Sequence, residues 1–158
     1  MLYDMTDGAL TMVSTTTFKA EQVLERTHLQ AAIRDQISVL GEDLMVIAEE
    51  YGDFEDTNRR IDLLCLDRTA RLVVVELKRT EDGGHMDLQA LRYAAMVSVM
   101  TFKQLVRTFA KHLERLGQDS HSLDDAREQL LTWLDESDGE EPVISRDVGI
   151  VLASANFS

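Results

Sequence analysis

The chain has very little cysteine, proline and glycine. Its 158 residues include one cysteine, one proline and eight glycines, which excludes collagen-like and linker-like chains. The single cysteine, Cys65, cannot form an internal disulfide, and its position in an apolar run predicts a buried, unreactive thiol in a reducing compartment. The four histidines are scattered, so together with one cysteine they do not form the spacing of a zinc site.

Long hydrophobic runs are also absent. No apolar segment reaches the length needed to span a bilayer, and the N-terminus has no basic region followed by an apolar stretch. Both absences argue against membrane insertion and secretion. We therefore expect a cytoplasmic protein without a membrane partner.

Positive charge is scarce. There are 16 lysines and arginines against 29 acidic residues, a net charge of −13, which by itself argues against a polyanionic partner. Residues 117–142, however, contain nine acidic residues and one arginine, a net charge of −8 that leaves −5 for the rest of the chain. Most of the negative charge thus lies in one acidic flank, residues 117–142. It predicts weak, salt-sensitive binding to DNA rather than excluding it.

The order of apolar segments predicts an α/β fold with a mixed central sheet flanked by helices. Residues 1–16 are predicted to form a hairpin or extension around Asp7-Gly8, and residues 17–158 to form one domain. The predicted elements are a helix over 18–39, strands over 44–48, 60–67 and 72–78, helices over 86–100, 101–117 and 122–134, and a strand over 148–153. Because the chain stops on an apolar strand of a type found in sheet centres, we expect it to be part of a longer protein.

The second and third predicted strands carry two carboxylates that we expect to face each other. If Arg68-Thr69-Ala70 is a three-residue hairpin loop, antiparallel pairing places Asp62 opposite Glu76, with Cβ atoms about 4.5–5.5 Å apart. Lys78 then lies on the same face. A register shift of one residue would put the two carboxylates on opposite faces, so the prediction depends on this loop.

Two facing carboxylates repel each other, and a positive charge is expected between them. Lys78 alone could supply it, or a hard divalent cation such as Mg²⁺ could be bound by the carboxylate oxygens. A metal beside a lysine is suited to phosphoester hydrolysis. The competing interpretation is a structural ion pair between Asp62 and Lys78, with Glu76 at a solvated strand end.

The same residues match a known motif. Ile61-Asp62, followed after thirteen residues by Glu76-Leu77-Lys78, resembles the PD-(D/E)XK phosphodiesterase superfamily, with isoleucine in place of its first proline. Gln89-Ala90-Leu91-Arg92-Tyr93 looks like the QxxxY motif of the RecB-like branch. Residues 60–98 are similar to a bacterial family allied to archaeal mismatch and branched-DNA endonucleases. The resemblance implies a restriction-endonuclease-like core with the order helix, three strands, helix, strand.

The resemblance also implies roles for individual residues. Asp62 and Glu76 would bind Mg²⁺ or Mn²⁺, with Glu25 completing the set of metal ligands. Lys78 would position the attacking water, and Gln89 would reach the site from its helix. The substrate contacts would be Arg60, Arg79 and Tyr93. Ordinary surface residues are the competing interpretation for Glu25 and for the arginines.

These features predict a magnesium-dependent endonuclease acting on DNA. The alternative is a non-catalytic nucleic-acid-binding or interaction module that keeps a nuclease fold, and a scaffold domain within a larger assembly is a third interpretation. Formation of a homodimer is left open by the sequence.

Overall fold

The computed structural model describes residues 2–17, 20–21, 26–41, 43–52, 60–78, 86–117, 122–136 and 141–154. The described strands are β1 (Leu2–Thr6), β2 (Ala9–Val13), β3 (Leu44–Tyr51), β4 (Ile61–Asp67), β5 (Leu72–Lys78) and β6 (Gly149–Ser154). The described helices are α1 (Arg26–Asp35), a short 3₁₀ turn (Ile37–Val39), α2 (Met86–Val97), α3 (Phe102–Arg115) and α4 (Leu123–Trp133). No helix in these ranges is long and apolar enough to cross a membrane.

The main sheet has four described strands in the order β3-β4-β5-β6. The β3–β4 and β4–β5 pairs are antiparallel, whereas β5 and β6 are parallel, so the predicted mixed α/β sheet is confirmed. All seven residues of β4 are buried, as expected for an inner strand of a sheet that is covered on both faces. In the described sheet β6 lies at an edge, not in the centre as its apolar character suggested.

Helices cover both faces of the sheet because successive strand residues point to opposite sides. On one face Ile33 of α1 packs in a cluster with the strand residues Leu63, Cys65, Val73, Val75 and Leu77. On the other face, helices α2, α3 and α4 pack in a cluster with Leu64, Leu66, Leu72 and Val74. Cys65 is fully buried, as predicted, and this burial raises the pKa of its thiol to about 12.

Two predicted helix starts are confirmed by their capping residues. The Thr101 hydroxyl accepts from the Gln104 N–H at 3.3 Å, and the Gln104 side chain accepts in return from the Thr101 N–H at 2.8 Å. Ser122 and Asp125 form the same reciprocal pair at the start of α4. Each box satisfies backbone donors that the first helical turn leaves without partners, so α3 and α4 begin where the sequence places them.

The first predicted helix is wrong in its extent. Ala20 and Glu21 form a turn, in which the Glu21 N–H donates to the Thr17 carbonyl at 3.1 Å. The described helix ends at Asp35 because Gln36 leaves helical geometry, with φ −130° and ψ 53°, before the 3₁₀ turn. The apolar residues of this segment face the sheet: Ile33 is buried, and Leu29 and Ile37 pack against the same cluster.

Strand β3 continues beyond its predicted end at residue 48. A register shift between Val46 and Ala48 inserts an extra residue, after which Glu49 and Tyr51 resume pairing with β4. Charged residues interrupt the apolar pattern at this end of the strand, so the pattern did not predict the continuation. Glu50 has φ 49°, a left-handed conformation that few non-glycine residues adopt.

A separate two-stranded hairpin is formed by β1 and β2, with Asp7 and Gly8 at the turn. Both turn residues have positive φ, 53° and 78°, as a two-residue hairpin turn requires. The apolar side chains of Tyr3, Met5, Leu10 and Met12 are exposed.

Candidate functional site

The β4–β5 hairpin has the register that the sequence predicts. The described pairs are Leu63 with Val75, Leu64 with Val74, Cys65 with Val73, and Leu66 with Leu72. The Asp67 N–H donates to the Arg71 carbonyl at 2.9 Å, which closes the three-residue loop. The backbone pairing ends at Leu63–Val75, and extending the same register by one residue places Asp62 opposite Glu76. By the alternation of the strands they lie on the face that α2 covers.

Asp67 fixes the loop that sets this register. Its Oδ1 accepts from the Thr69 N–H, the Thr69 hydroxyl and the Arg71 N–H at 2.7–3.0 Å, and its Oδ2 accepts from the Arg71 guanidinium at 2.9 Å. Burial alone would raise the pKa of Asp67, but these hydrogen bonds from Thr69 and Arg71 favour the ionised form and hold the pKa below its usual value. Ala70 completes the loop with φ 58°.

Both carboxylates of the facing pair are buried. Asp62 is 1% exposed and Glu76 is 5% exposed, so little of their charge is solvated by water. The Oδ2 atom of Asp62 accepts a hydrogen bond from the Leu77 N–H at 2.7 Å. This bond joins β4 to β5 beside Glu76 and fixes the direction of the Asp62 carboxylate.

Helix α2 brings two further predicted residues to the pair. The Gln89 Nε2 donates to Glu76 Oε2 at 3.3 Å and to the Tyr93 hydroxyl at 3.3 Å. Tyr93, one helical turn after Gln89, is 1% exposed and packs in the core. The structure thus joins Glu76, Gln89 and Tyr93 in one hydrogen-bonded cluster, and Asp62 is bound to the Leu77 N–H next to Glu76.

The structure describes the other predicted site residues only in part. The backbone of Lys78 pairs with Ser154 of β6, two residues beyond Glu76 on the same face, but its side chain lies outside the described part of the structure. Arg60 is exposed just before β4. Glu25 and Arg79 lie outside the described residues.

The donor atoms at the pair suit a hard cation. Within the described residues no group of three or more His, Cys, Asp or Glu side chains is placed to hold a metal ion. Mg²⁺, however, is commonly held by one or two carboxylates and completes its shell with water and substrate phosphate oxygens. Asp62 and Glu76 supply two such carboxylates, so the residues present fit the ion.

A cleft of about 220 Å³ lies at the same end of the sheet, between the end of β3 and the C-terminal half of α3. Its lining includes Glu49, Glu50, Arg60, Lys111, His112 and Arg115. The pairs of Glu49 with Leu63 and Tyr51 with Ile61 place the backbone of Glu50, on β3, opposite Asp62 on β4. Neither Glu50 nor His112 could be predicted from sequence spacing, because both reach the cleft through the bulge of β3 and the packing of α3.

His112 is buried in this cleft and is 4% exposed. Burial lowers the pKa of its imidazole, and the positive charges of Arg34 and Arg115 lower it further, while Glu49 opposes the shift. The neutral form of His112 is therefore favoured between charged neighbours on α1, α3 and β3.

Comparison with protein-family models, curated proteins and solved structures finds no match for this chain. The site is therefore interpreted from its own residues and geometry.

Proposed function

We propose that this chain is a metal-dependent nuclease-like domain that hydrolyses DNA phosphodiester bonds, with Asp62, Glu76 and Lys78 at its centre. The observation that carries the proposal is the burial of two carboxylates on adjacent strands, with Asp62 accepting from the N–H of Leu77, the residue next to Glu76. Such a pair is unfavourable for folding, because like charges repel more strongly where water is excluded. A cation bound by the two carboxylates would offset this repulsion, and a phosphate ester would be the substrate of the resulting site.

Each residue of the site has a distinct role in the proposed mechanism. Asp62 and Glu76 hold Mg²⁺ or Mn²⁺, and the Leu77 N–H and the Gln89 amide orient their carboxylates. When bound there, such an ion would polarise a phosphoryl oxygen and lower the pKa of a coordinated water. Lys78, on the face of Glu76, orients the attacking water and offsets developing negative charge.

The proposal includes a restriction-endonuclease-like core and membership of the PD-(D/E)XK superfamily. What supports them is the element order α1, β3 to β5, α2, and later β6, together with the motif residues Asp62, Glu76 and Gln89. DNA as substrate and a cytoplasmic location belong to the same proposal. The location rests on the single buried thiol, which suits a reducing compartment.

Cleavage of DNA by the purified chain tests this function. With Mg²⁺ or Mn²⁺ present, the wild type should cut one of a set of duplex, mismatched and branched DNA substrates. Glu76→Gln and Lys78→Ala should abolish cutting, whereas the control Glu136→Gln, at an exposed position after α4, should not. Unchanged cleavage in both site variants would contradict the assignment.

Calorimetry separates the enzyme from the alternative module. The proposed nuclease binds Mg²⁺ or Mn²⁺ at the Asp62–Glu76 pair, and Glu76→Gln weakens this binding. A folded wild type that binds neither ion would overturn the proposal in favour of a non-catalytic interaction module.

A further inference from the structure

Helix α3 carries a row of four basic residues, Lys103, Arg107, Lys111 and Arg115, spaced four residues apart. All four are exposed, and each step advances about 6 Å along the helix, so the row extends over about 18 Å. The only acidic residue of α3 is Glu114, which gives the helix a net charge of +3. This is a concentrated positive feature in a chain whose net charge is −13.

Folding of the helix does not account for the row. The opposite side of α3 is held in the core by Phe102, Leu105, Val106, Phe109 and Leu113. Like charges four residues apart destabilise an isolated helix by about 0.2–0.5 kcal/mol per pair, and the row contains three such pairs. Within the described part of the chain, Lys103, Arg107 and Lys111 make no ion pair that would offset this repulsion.

The row leads to the candidate site. Its last two members, Lys111 and Arg115, line the cleft between α3 and β3, and Arg60 lines the same cleft from the start of β4. Arg60 lies two residues before Asp62. The basic row therefore reaches the cleft at the start of β4, the strand that carries Asp62, and this cleft is also lined by Glu49 and Glu50.

We infer that the row Lys103, Arg107, Lys111 and Arg115 binds the sugar-phosphate backbone of DNA and guides it to the Asp62–Glu76 pair. This inference rests on the proposed function, since it names the surface that presents the substrate. Lysine and arginine side chains on one exposed row contact successive phosphates without reading bases, and they bind DNA in a salt-dependent manner. Arg60 continues the phosphate contacts at the cleft. DNA is favoured over an acidic protein surface because the row ends at the cleft that Arg60 lines, two residues before Asp62.

The test measures DNA affinity separately from cleavage. Fluorescence anisotropy of a short labelled DNA duplex, in EDTA so that no cutting occurs, is recorded over a range of salt concentrations. The variant Arg107→Gln/Lys111→Gln is compared with Arg127→Gln/Arg146→Gln, which removes the same charge from outside α3. Both positions of the α3 variant are exposed, and circular dichroism verifies that the helix is intact.

We expect the α3 variant to bind about ten-fold more weakly at low salt. The slope of log affinity against log salt should become shallower by about 1.8, because each lost phosphate contact contributes about 0.9. The control variant should change both quantities much less. An equal effect of the two variants would overturn the inference, since only total charge would then matter. An unchanged slope together with altered self-association in sedimentation would also overturn it, and would identify an acidic protein surface as the partner.

These results are distinguishable from a failure of the proposed function. If the wild type cuts DNA but the α3 variant keeps its affinity, salt slope and cutting, the guiding role of the row is wrong and the nuclease stands. If the wild type binds DNA through the row but cuts no substrate with Mg²⁺ or Mn²⁺, the catalytic proposal is wrong and the binding surface stands.

Discussion

The Oδ2 atom of Asp62 accepts a hydrogen bond from the backbone N–H of Leu77 at 2.7 Å. Asp62 lies on β4 and Leu77 on β5, so a buried carboxylate satisfies a backbone donor of the neighbouring strand. The same bond holds the Asp62 side chain beside Glu76. One residue thereby contributes both to strand pairing and to the proposed metal site, and these two contributions can be separated by substitution.

Asp62→Ala should destabilise the protein more than Asp62→Asn. Both changes remove the negative charge, but alanine leaves the buried Leu77 N–H without its acceptor, whereas asparagine keeps an oxygen there. The expected difference in the free energy of unfolding is about 1–3 kcal/mol. Urea denaturation measures it, with the exposed Asp147→Ala as control. Equal stabilities of the two Asp62 variants would show that this hydrogen bond does not stabilise the fold.

Glu76→Gln should remove the stabilisation of the protein by divalent ions. A ligand that binds only the folded state at ten times its Kd adds about 1.4 kcal/mol to the free energy of unfolding. Thermal unfolding with and without Mg²⁺ should therefore show a rise in Tm for the wild type and for the control Glu136→Gln. Loss of one carboxylate should abolish this rise. The same rise in Glu76→Gln and wild type would favour the structural ion pair of Asp62 with Lys78.

Gln89→Leu should weaken the site while leaving the fold intact. The Gln89 amide orients Glu76 from α2, and loss of such a supporting hydrogen bond reduces metal affinity or activity by about 10–100-fold. Calorimetric Mg²⁺ affinity and cleavage rate measure the effect. Gln129→Leu, at a half-buried position of α4, is the matched control. If Gln89→Leu kept the Mg²⁺ affinity and cleavage rate of the wild type, the role of Gln89 would be restricted to packing.

His112 should make the protein less stable as the pH falls. Burial, Arg34 and Arg115 lower the pKa of His112 in the folded state, while the unfolded chain takes up a proton near pH 6.5. Below about pH 6.5 the unfolded state binds more protons, and the free energy of unfolding falls by up to about 1.4 kcal/mol per pH unit. The loss continues until the pH reaches the lowered folded-state pKa.

Urea denaturation at neutral and mildly acidic pH tests this dependence. His112→Gln should have a shallower loss of stability with falling pH than the wild type, and His28→Gln, at an exposed position, should behave like the wild type. Parallel curves for His112→Gln and the wild type would contradict the role of the buried imidazole.

The parts of the fold that local chemistry determines could be predicted from the sequence. Asp67 and Arg71 enclose a three-residue loop, and this local geometry sets the β4–β5 register, which extends to the Leu63–Val75 pair. The capping boxes at Thr101 and Ser122 are equally local. In each case the determining residues are within a few positions of one another.

The features that were missed depend on tertiary packing. The bulge of β3 lets Glu49 and Tyr51 pair with β4, although the charged residues there interrupt the apolar pattern. The cleft exists because the C-terminal half of α3 packs beside the end of β3, a relationship that no sequence spacing records. The predicted roles of Glu25, Arg79 and the Lys78 side chain stay predictions, since all three lie outside the described part of the structure.

The parallel pairing of β6 has a consequence for the order of folding. β4 and β5 are joined by a three-residue loop, whereas residues 79–148 lie between β5 and β6. Closing a long loop carries a larger entropic cost, and parallel pairing between distant segments is slow. We therefore expect Asp62 and Glu76 to be brought together early, with high φ-values in the β4–β5 hairpin, and Leu152 to reach its place beside Glu76 only after the transition state.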